Sequence, residues 1–460
     1  MIRIGSMRKM VLCVLSVFGI FILFRSVAAE RPNVLVIFAD NMGYGDLSCY
    51  DCPDIRTPVI DRLASEGVRF TNYYSNGPEC TPTRTAFMTG RYPQRVRGLE
   101  CAIGIGNVGR YDHAIELANR HELGLPPEKN TLVRLLKKAG YTAVGLGKWH
   151  LGYEPAFLPL KHGFDYFLAT LAGTVDYFYH NEPNGTPVLY ENDQLVTRDG
   201  YMTDLITDGA LKFLRERNPS QPFFLYLPYT APSSPLQHPD KKPPKPKVSN
   251  AWDSTDWQAG TRETYGLIVE RLDEGVGKVL AEVDKLGLRD NTLVIFASDN
   301  GGNDRARNAP FRGYTSELFD GGIHVPCMAR WPGVIPEGVV SDRQFLTLDL
   351  TASILSAAGV ETPAGEDSLD GIDILKAVAE NRPSTERPLF WRARRAERTW
   401  RAVRAGNLKY LTIRDTDRFD EYLFDLNVDP GETRNLLASR TSDANRLRQL
   451  LIDWEEDVGK

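Results

Sequence analysis

Two continuous apolar runs, each followed by an acid–amide pair, constrain this chain more than any other feature. Asn33–Ala39 (NVLVIFA) leads straight into Asp40-Asn41, and Leu293–Ala297 leads through Ser298 into Asp299-Asn300. Runs of that length with no polar alternation suit strands buried on both faces. Such strands need helices above and below them, and the sequence between provides the pattern. Thr57 as N-cap, Pro58 at the first helical position and Gly67 as a stop frame a short helix, and Val68–Tyr74 reads as a strand. Asn130 caps a helix through Leu132, Leu135 and Leu136 that ends at Gly140, with a strand following at Thr142–Leu146. A helix around Leu205–Arg217, the strand Phe223–Leu227 and a long helix over Thr261–Leu286 complete the alternation. It predicts an α/β fold, a mixed and mostly parallel sheet flanked by helices.

The texture changes after about residue 385. Trp400–Leu411 has the pattern of a hairpin turning at Gly406-Asn407, Glu421–Asp425 is another short strand, and Thr441–Val458 is a terminal helix. The expected organisation is a leader over 1–29, a catalytic α/β domain over 30–385 and a smaller C-terminal α+β subdomain, with an antiparallel sheet, over 386–460. The leader reading rests on Arg3, Arg8 and Lys9, the acid-free apolar run Val11 to Phe24, and the small residues Val27 and Ala29 before Glu30. That is the order of a secretory signal peptide. The expected location is therefore secreted or periplasmic, with membrane contact only through the leader.

Removing the leader takes away four basic residues and no acid, leaving 51 bases against 60 acids and a net charge of −9. That balance excludes a general nucleic-acid binder. Five cysteines remain, Cys49, Cys52, Cys80, Cys101 and Cys327. An odd number in an exported chain leaves at least one thiol over. A disulfide among Cys49, Cys52 and Cys101 and a set of buried free thiols both fit the spacing. Pro239–Lys247 (PDKKPPKPK) reads as a stiff, basic, exposed loop, and Asn184-Gly185-Thr186 is a glycosylation sequon.

In open α/β sheets, ligands bind beyond the carboxyl ends of the strands. Asp40, Asn41, Asp299 and Asn300 converging there would make a hard-oxygen site for calcium, with magnesium as the alternative ion. Either pair alone is more often a turn or a cap; two in matching positions argue for metal. Cys80-Thr81-Pro82-Thr83-Arg84 precedes a short helical stretch. With Pro82 at a first helical position, Cys80 would sit at the helix N-terminus, where the dipole favours negative charge, and Arg84 lies one turn on. A buried structural cysteine fits the same spacing. Lys148 and His150 in GKWHLG would point the same way from an extended segment, able to bind an oxyanion and move a proton.

Taken together, these segments resemble the formylglycine-dependent sulfatases, the arylsulfatase-like branch of the alkaline-phosphatase superfamily. Cys80–Arg84 looks like their C-x-P-x-R signature. FADNMGYGD, GKWHLG, HGFDYF at His162–Phe167, TLVIFASDNGG, Gly321-Gly322-Ile323, RWPG at Arg330–Gly333 and EYLFDLNVDPGETRNL resemble the family in order. The resemblance implies an alkaline-phosphatase-like fold, calcium, and conversion of Cys80 to formylglycine by a separate maturase. By position, Asp40, Asn41, Asp299 and Asn300 would hold the metal with the modified Cys80. Arg84 would stabilise the nucleophile, Lys148 contact sulfate and His150 orient the formylglycine hydrate. The implied substrate is a sulfated carbohydrate or an aryl sulfate.

Three positions depart from the family pattern. Asn41 stands where many relatives carry a second acid, Ser233 where they usually carry a histidine that serves the leaving alcohol, and Thr315 where a lysine is usual. His238 and His324 lie near enough in sequence to substitute, although ordinary packing or surface roles suit them better. The departures leave two other readings open: a weakly active or non-catalytic binder of sulfated glycans, and a phosphate or phosphonate monoester hydrolase on the same scaffold.

Overall fold

Asn33–Ala39 does lie at the centre of a sheet. In the computed structural model, which describes residues 31–245, 260–383 and 386–459, every residue of this strand is buried. The leader and the last two residues of the Pro239–Lys247 loop lie outside the described residues. Ten strands form the main sheet, in the order Val339–Ser341, Val68–Phe70, Cys327–Arg330, Thr292–Ser298, Asn33–Ala39, Phe223–Pro228, Thr142–Lys148, Tyr166–Thr170, Leu189–Glu191 and Gln194–Leu195. The five from Thr292–Ser298 to Tyr166–Thr170 run parallel. Cys327–Arg330 and Leu189–Glu191 join them antiparallel.

The apolar run explains the layering. Val34, Val36 and Phe38 enter one buried cluster with Leu132, Leu136 and Ile354, while Leu35, Ile37 and Ala39 enter another with Ile206, Leu272 and Val276. Side chains alternate across a strand, so a strand with helices on both faces keeps a polar residue only at its end, here Asn33, whose Oδ1 accepts from Phe223 N at 3.2 Å. The helices on the second face include Pro58–Ser65, Met202–Glu216 and Arg262–Lys285.

Two local expectations are corrected. The 132–138 helix is capped by Thr131, whose hydroxyl accepts from Arg134 N, and not by Asn130, whose amide donates to Asp367 at 2.9 Å. Val68–Tyr74 is two strands: the chain leaves the main sheet after Phe70, and Tyr73-Tyr74 pairs instead with Phe345-Leu346. Gly67 does more than stop a helix, because a Cβ there would stand 2.1 Å from the carbonyl oxygen of Ala329. Gly67 thus lets the link between the first helix and Val68–Phe70 lie against the Cys327–Arg330 strand. Among the described residues the five cysteines are all free thiols, which decides against the disulfide. No described helix is long and apolar enough to cross a membrane.

The C-terminal strands Leu389–Arg395, Arg398–Ala405, Leu408–Asp415 and Arg418–Asp425 form an antiparallel meander, and Ala405 opposite Leu408 places the turn at Gly406-Asn407. The helix Thr441–Val458 packs on it. Its apolar face shares one cluster with Tyr74, Ala86 and Ile323 of the larger sheet's surroundings. A buried ion triad spans the same junction: Lys409 Nζ lies 2.6 Å from Asp320 and 2.8 Å from Glu432, all three side chains essentially inaccessible. Removing the cation would strand two acids in a low-dielectric interior. Lys409→Ala is expected to cost about 3–5 kcal/mol in unfolding free energy, read as a fall in the urea midpoint.

Candidate active site

The strand register builds the site. Ala39 pairs with Ser298, so the two parallel strands release Asp40 and Asp299 side by side. The chains stay locked beyond the strands: Asp299 N donates to Ala39 O at 3.1 Å, and Asn41 N donates to Asp299 Oδ1 at 3.2 Å. Asn41 takes φ +61°, a left-handed conformation that asparagine tolerates better than most residues. Lys148 is the last residue of the next parallel strand but one, and Ser233 follows the strand between.

Cys80 opens the helix Cys80–Thr89, with Glu79 as N-cap. Pro82 occupies the third helical position and not the first; the opening turn has no partner for its N–H groups, so proline fits there as well. The helix is entirely buried, and it carries Cys80 and Arg84 onto the two carboxylates. Cys80 Sγ donates to Asp40 Oδ1 at 3.1 Å. Lys148 Nζ lies 2.6 Å from Asp40 Oδ2 and 3.0 Å from Cys80 Sγ. Arg84 grips Asp299 through Nε and Nη2 at 3.0 and 2.7 Å and donates through Nη1 to Lys148 O at 2.9 Å.

Two buried carboxylates therefore face two buried cations, an arrangement tolerable only because each charge is paired. Burial holds the Asp40 carboxyl up at about 6; Lys148 and Arg84 pull it down and Asp299 pushes it up. Burial, then Asp299 and Asp40, hold the Cys80 thiol well above its ordinary value. The thiol is a protonated donor and a poor nucleophile. Burial and the neighbouring Lys148 charge keep His150 neutral. Its Nε2 lies 2.9 Å from Ile103 O, so the ring's proton sits there and Nδ1, buried without a partner among the described residues, is left as a free acceptor. His150 reaches this position from a left-handed φ of +56° and not from the extended segment that the spacing suggested.

Asp40, Cys80 and Asp299 bring one ligand atom each within 4.8 Å of one another. The amides close the ring: Asn300 Nδ2 donates to Asn41 Oδ1 at 2.5 Å, and Asn300 Oδ1 is buried with no partner among the described residues. Such a donor set, two carboxylates and two amide oxygens, fits a hard divalent cation. Sulfur is its odd member.

A cleft of about 190 Å³ opens onto Cys80, lined also by Asn41, His150, Thr315, Ser316 and Arg395. Thr315 is brought to the group, its hydroxyl donating to Pro78 O at 3.1 Å and standing 3.3 Å from Asn300 Nδ2. Ser233 is too, its Oγ accepting from Asn41 Nδ2 at 2.9 Å. His238 is not: its Nδ1 accepts from Asp240 N in its own loop. His324 is not either; it stacks on Phe311 at 4.0 Å and bonds Asp320 and Thr71 O. Sequence reasoning missed Glu79, Ser316 and Arg395. A charged residue directly before Cys80 was the available signal for Glu79; Arg395 lies 316 residues further on, with nothing local to mark it.

Two carboxylates, two amides and a thiol gathered beyond the carboxyl ends of parallel strands define a candidate active site with room for a metal ion. Comparison with known proteins supplies the class. Residues 32–360 match the sulfatase family, and residues 316–456 match the C-terminal region of N-sulphoglucosamine sulphohydrolase. The chain is 33% identical to N-acetylgalactosamine-6-sulfatase of Canis lupus familiaris, over 94% of this chain and 81% of the relative. It is 32% identical to steryl-sulfatase of Mus musculus, over 76% and 65%. Among solved structures, Ps i-CgsB in complex with k-i-k-neocarrahexaose superposes with a TM-score of 0.78 at 29% identity, covering 93% of each chain. The protein belongs to the sulfatase family and is a sulfuric ester hydrolase.

Gly173 gives a test of the His150 position, since a Cβ there would stand 2.3 Å from His150 Cε1. Gly173→Ala is expected to displace the imidazole and lower kcat about a hundredfold, measured as sulfate release, with the urea midpoint moving far less than for Lys409→Ala.

Proposed function

We propose that the protein hydrolyses sulfate esters of a sulfated carbohydrate, through a formylglycine made from Cys80 and with a calcium ion held by Asp40, Asn41, Asp299 and Asn300. The observation that carries this reading is the oxygen-rich set of partners around position 80, with Asp40, Asp299 and Asn300 fully buried and Asn41 half-buried. A protonated thiol has little to offer there, whereas an oxygen function would complete a hard donor shell. Formylglycine would supply, as its hydrate, one hydroxyl as nucleophile toward sulfur, with the sugar alcohol leaving, and a second whose deprotonation expels sulfate and restores the aldehyde. Calcium would supply Lewis-acid polarisation of the ester.

The chain's own residues do the rest. Lys148 holds a cation within reach of Asp40 and position 80, where it stabilises charge on sulfate oxygens. Arg84 fixes Asp299 through Nε and Nη2 and offsets its charge. His150 offers Nδ1 as an acceptor for a hydroxyl at position 80. Ser233 and Thr315 supply only hydroxyls on the leaving-group side, and each is already engaged. Carbohydrate as substrate is supported by the sugar named for the dog relative and by the neocarrahexaose bound to Ps i-CgsB. Residues 1–29 would export the chain, and a maturase would be its partner before or during that passage.

Co-expression with a formylglycine-generating maturase, followed by mass spectrometry of the peptide spanning residues 80–91, should show sulfur replaced by a carbonyl oxygen. Cys80→Ala is expected to abolish sulfate release from 6-O-sulfated N-acetylgalactosamine; a variant as active as the parent would overturn the mechanism. Asn41→Asp adds a negative charge to the metal shell and keeps a residue type that accepts positive φ. It should bind calcium about tenfold more tightly, seen as a larger calcium-induced rise in Tm. The engaged hydroxyls of Ser233 and Thr315 favour a second reading, a weakly active glycan binder. Binding of sulfated sugar by converted protein, with no release, would decide for it.

A further inference from the structure

The reactive cleft does not end at Ser316. A groove of about 570 Å³ adjoins it, and Glu79, Thr315, Ser316 and Arg395 line both. Its outer walls are Tyr314, the tip of the first C-terminal hairpin over 394–398, and Asp415 on the next strand. The C-terminal sheet thus forms one side of a channel that starts at Cys80.

Glu79 fixes the junction. Its side chain is 7% exposed and accepts four hydrogen bonds: from Arg395 Nη1 and Ser316 Oγ at 2.7 Å each on Oε1, and from Cys101 Sγ at 3.0 Å and Ala102 N at 2.7 Å on Oε2. The inner edge of the Arg395 guanidinium is held by this carboxylate and by Ser316 Oγ at 3.1 Å. Its side chain is nonetheless 47% exposed, and Nε and Nη2 donate to no acceptor among the described residues. A guanidinium pinned on one edge and open on the other presents a planar fork at a set place, the geometry that matches a carboxylate or a sulfate.

The groove around it has the chemistry of a sugar site. Tyr314 is 52% exposed and offers an aromatic face, while the Arg398–Asp415 pair at 2.8 Å and Glu317 offer planar donors and acceptors to hydroxyls. Cavities that hold ligands of several rings span about 300–1,000 Å³. The cleft at Cys80 is smaller than that range and the groove lies within it.

We propose that this groove is the subsite for the sugar next to the one whose sulfate is cleaved. Arg395 is the specificity-determining residue that binds an anionic group, a carboxylate or a second sulfate ester, on that neighbouring sugar. The proposal rests on the sulfated-carbohydrate reading and extends it from a single ester to an acidic oligosaccharide.

The test compares four probes on maturase-treated enzyme: a 6-O-sulfated N-acetylgalactosamine alone, and the same sugar joined to a neutral hexose, a hexuronate or a sulfated hexose. For the parent, kcat/KM should be highest with an anionic neighbour, and the better of the two anionic probes identifies the group that is read. Arg395→Gln should raise the ratio of KM for that probe to KM for the lone sugar about tenfold or more, and Arg395→Lys should restore part of it. Tyr314→Ala, at an exposed position outside the Glu79 network, should raise KM for all three two-sugar probes relative to the lone sugar. A ratio unchanged in Arg395→Gln, or equal kcat/KM on neutral and anionic neighbours, overturns the proposal. If no probe releases sulfate, the catalytic reading fails by itself. Calorimetric titration of Cys80→Ser with the same probes then decides the groove: tighter binding of anionic two-sugar probes upholds it, and equal binding overturns it.

Discussion

The pairing of Ala39 with Ser298 is the constraint from which the site follows. Two parallel strands in that register end at the same height, so the residues after them meet in space although about 260 positions separate them in the chain. Shifting either strand by one residue would turn one carboxylate to the opposite face. With both acids buried at one spot, their repulsion and desolvation must be answered, and the Cys80–Thr89 helix and the Thr142–Lys148 strand answer with Arg84 and Lys148. The cations therefore serve the fold and the chemistry together.

Much of this was legible because it is written in short-range patterns. The apolar runs read as central strands since no polar residue interrupts them, and the acid–amide pairs stood out because both followed such a run. Thr261 to Leu286 read as a long helix, and Leu272, Val276, Val279 and Val283 form its buried stripe. What failed was decided by contacts that local sequence does not carry. Asn130 has the composition of a cap, yet its amide is drawn to Asp367 and the neighbouring threonine takes the role. The break after Phe70 depends on Phe345 and Leu346, some 270 residues away, which offer Tyr73-Tyr74 a different sheet. His238 and His324 were weighed as site residues because of their position in the chain, but each has its ring committed elsewhere.

The largest gap between sequence and structure concerns the C-terminal meander. Read locally, it is a small sheet with a helix, with no reason to belong to the active site. In the folded chain its first strand places Trp391 Nε1 on Ser75 O at 2.8 Å, just ahead of the helix bearing Cys80, and ends with Arg395 at the rim of the cleft. The ion triad at Lys409 ties the third strand to Asp320 by the same route. Relative placement of this sheet and the nucleophile helix is thus set from the interior, by an indole, an ammonium and a shared apolar cluster.

The depth of position 80 has a consequence for the order of events in the life of the chain. Cys80 is 7% exposed, on the first turn of a helix every residue of which is inaccessible. In the folded chain that thiol is reached through a cleft of about 190 Å³, too small for the active site of a second protein to close around it. Any enzyme that edits the residue is in a race with folding, and it must win while the segment from Glu79 to Arg84 is still an extended peptide. Were activity to require that editing, the speed at which the central strands assemble would set the fraction of molecules that emerge competent.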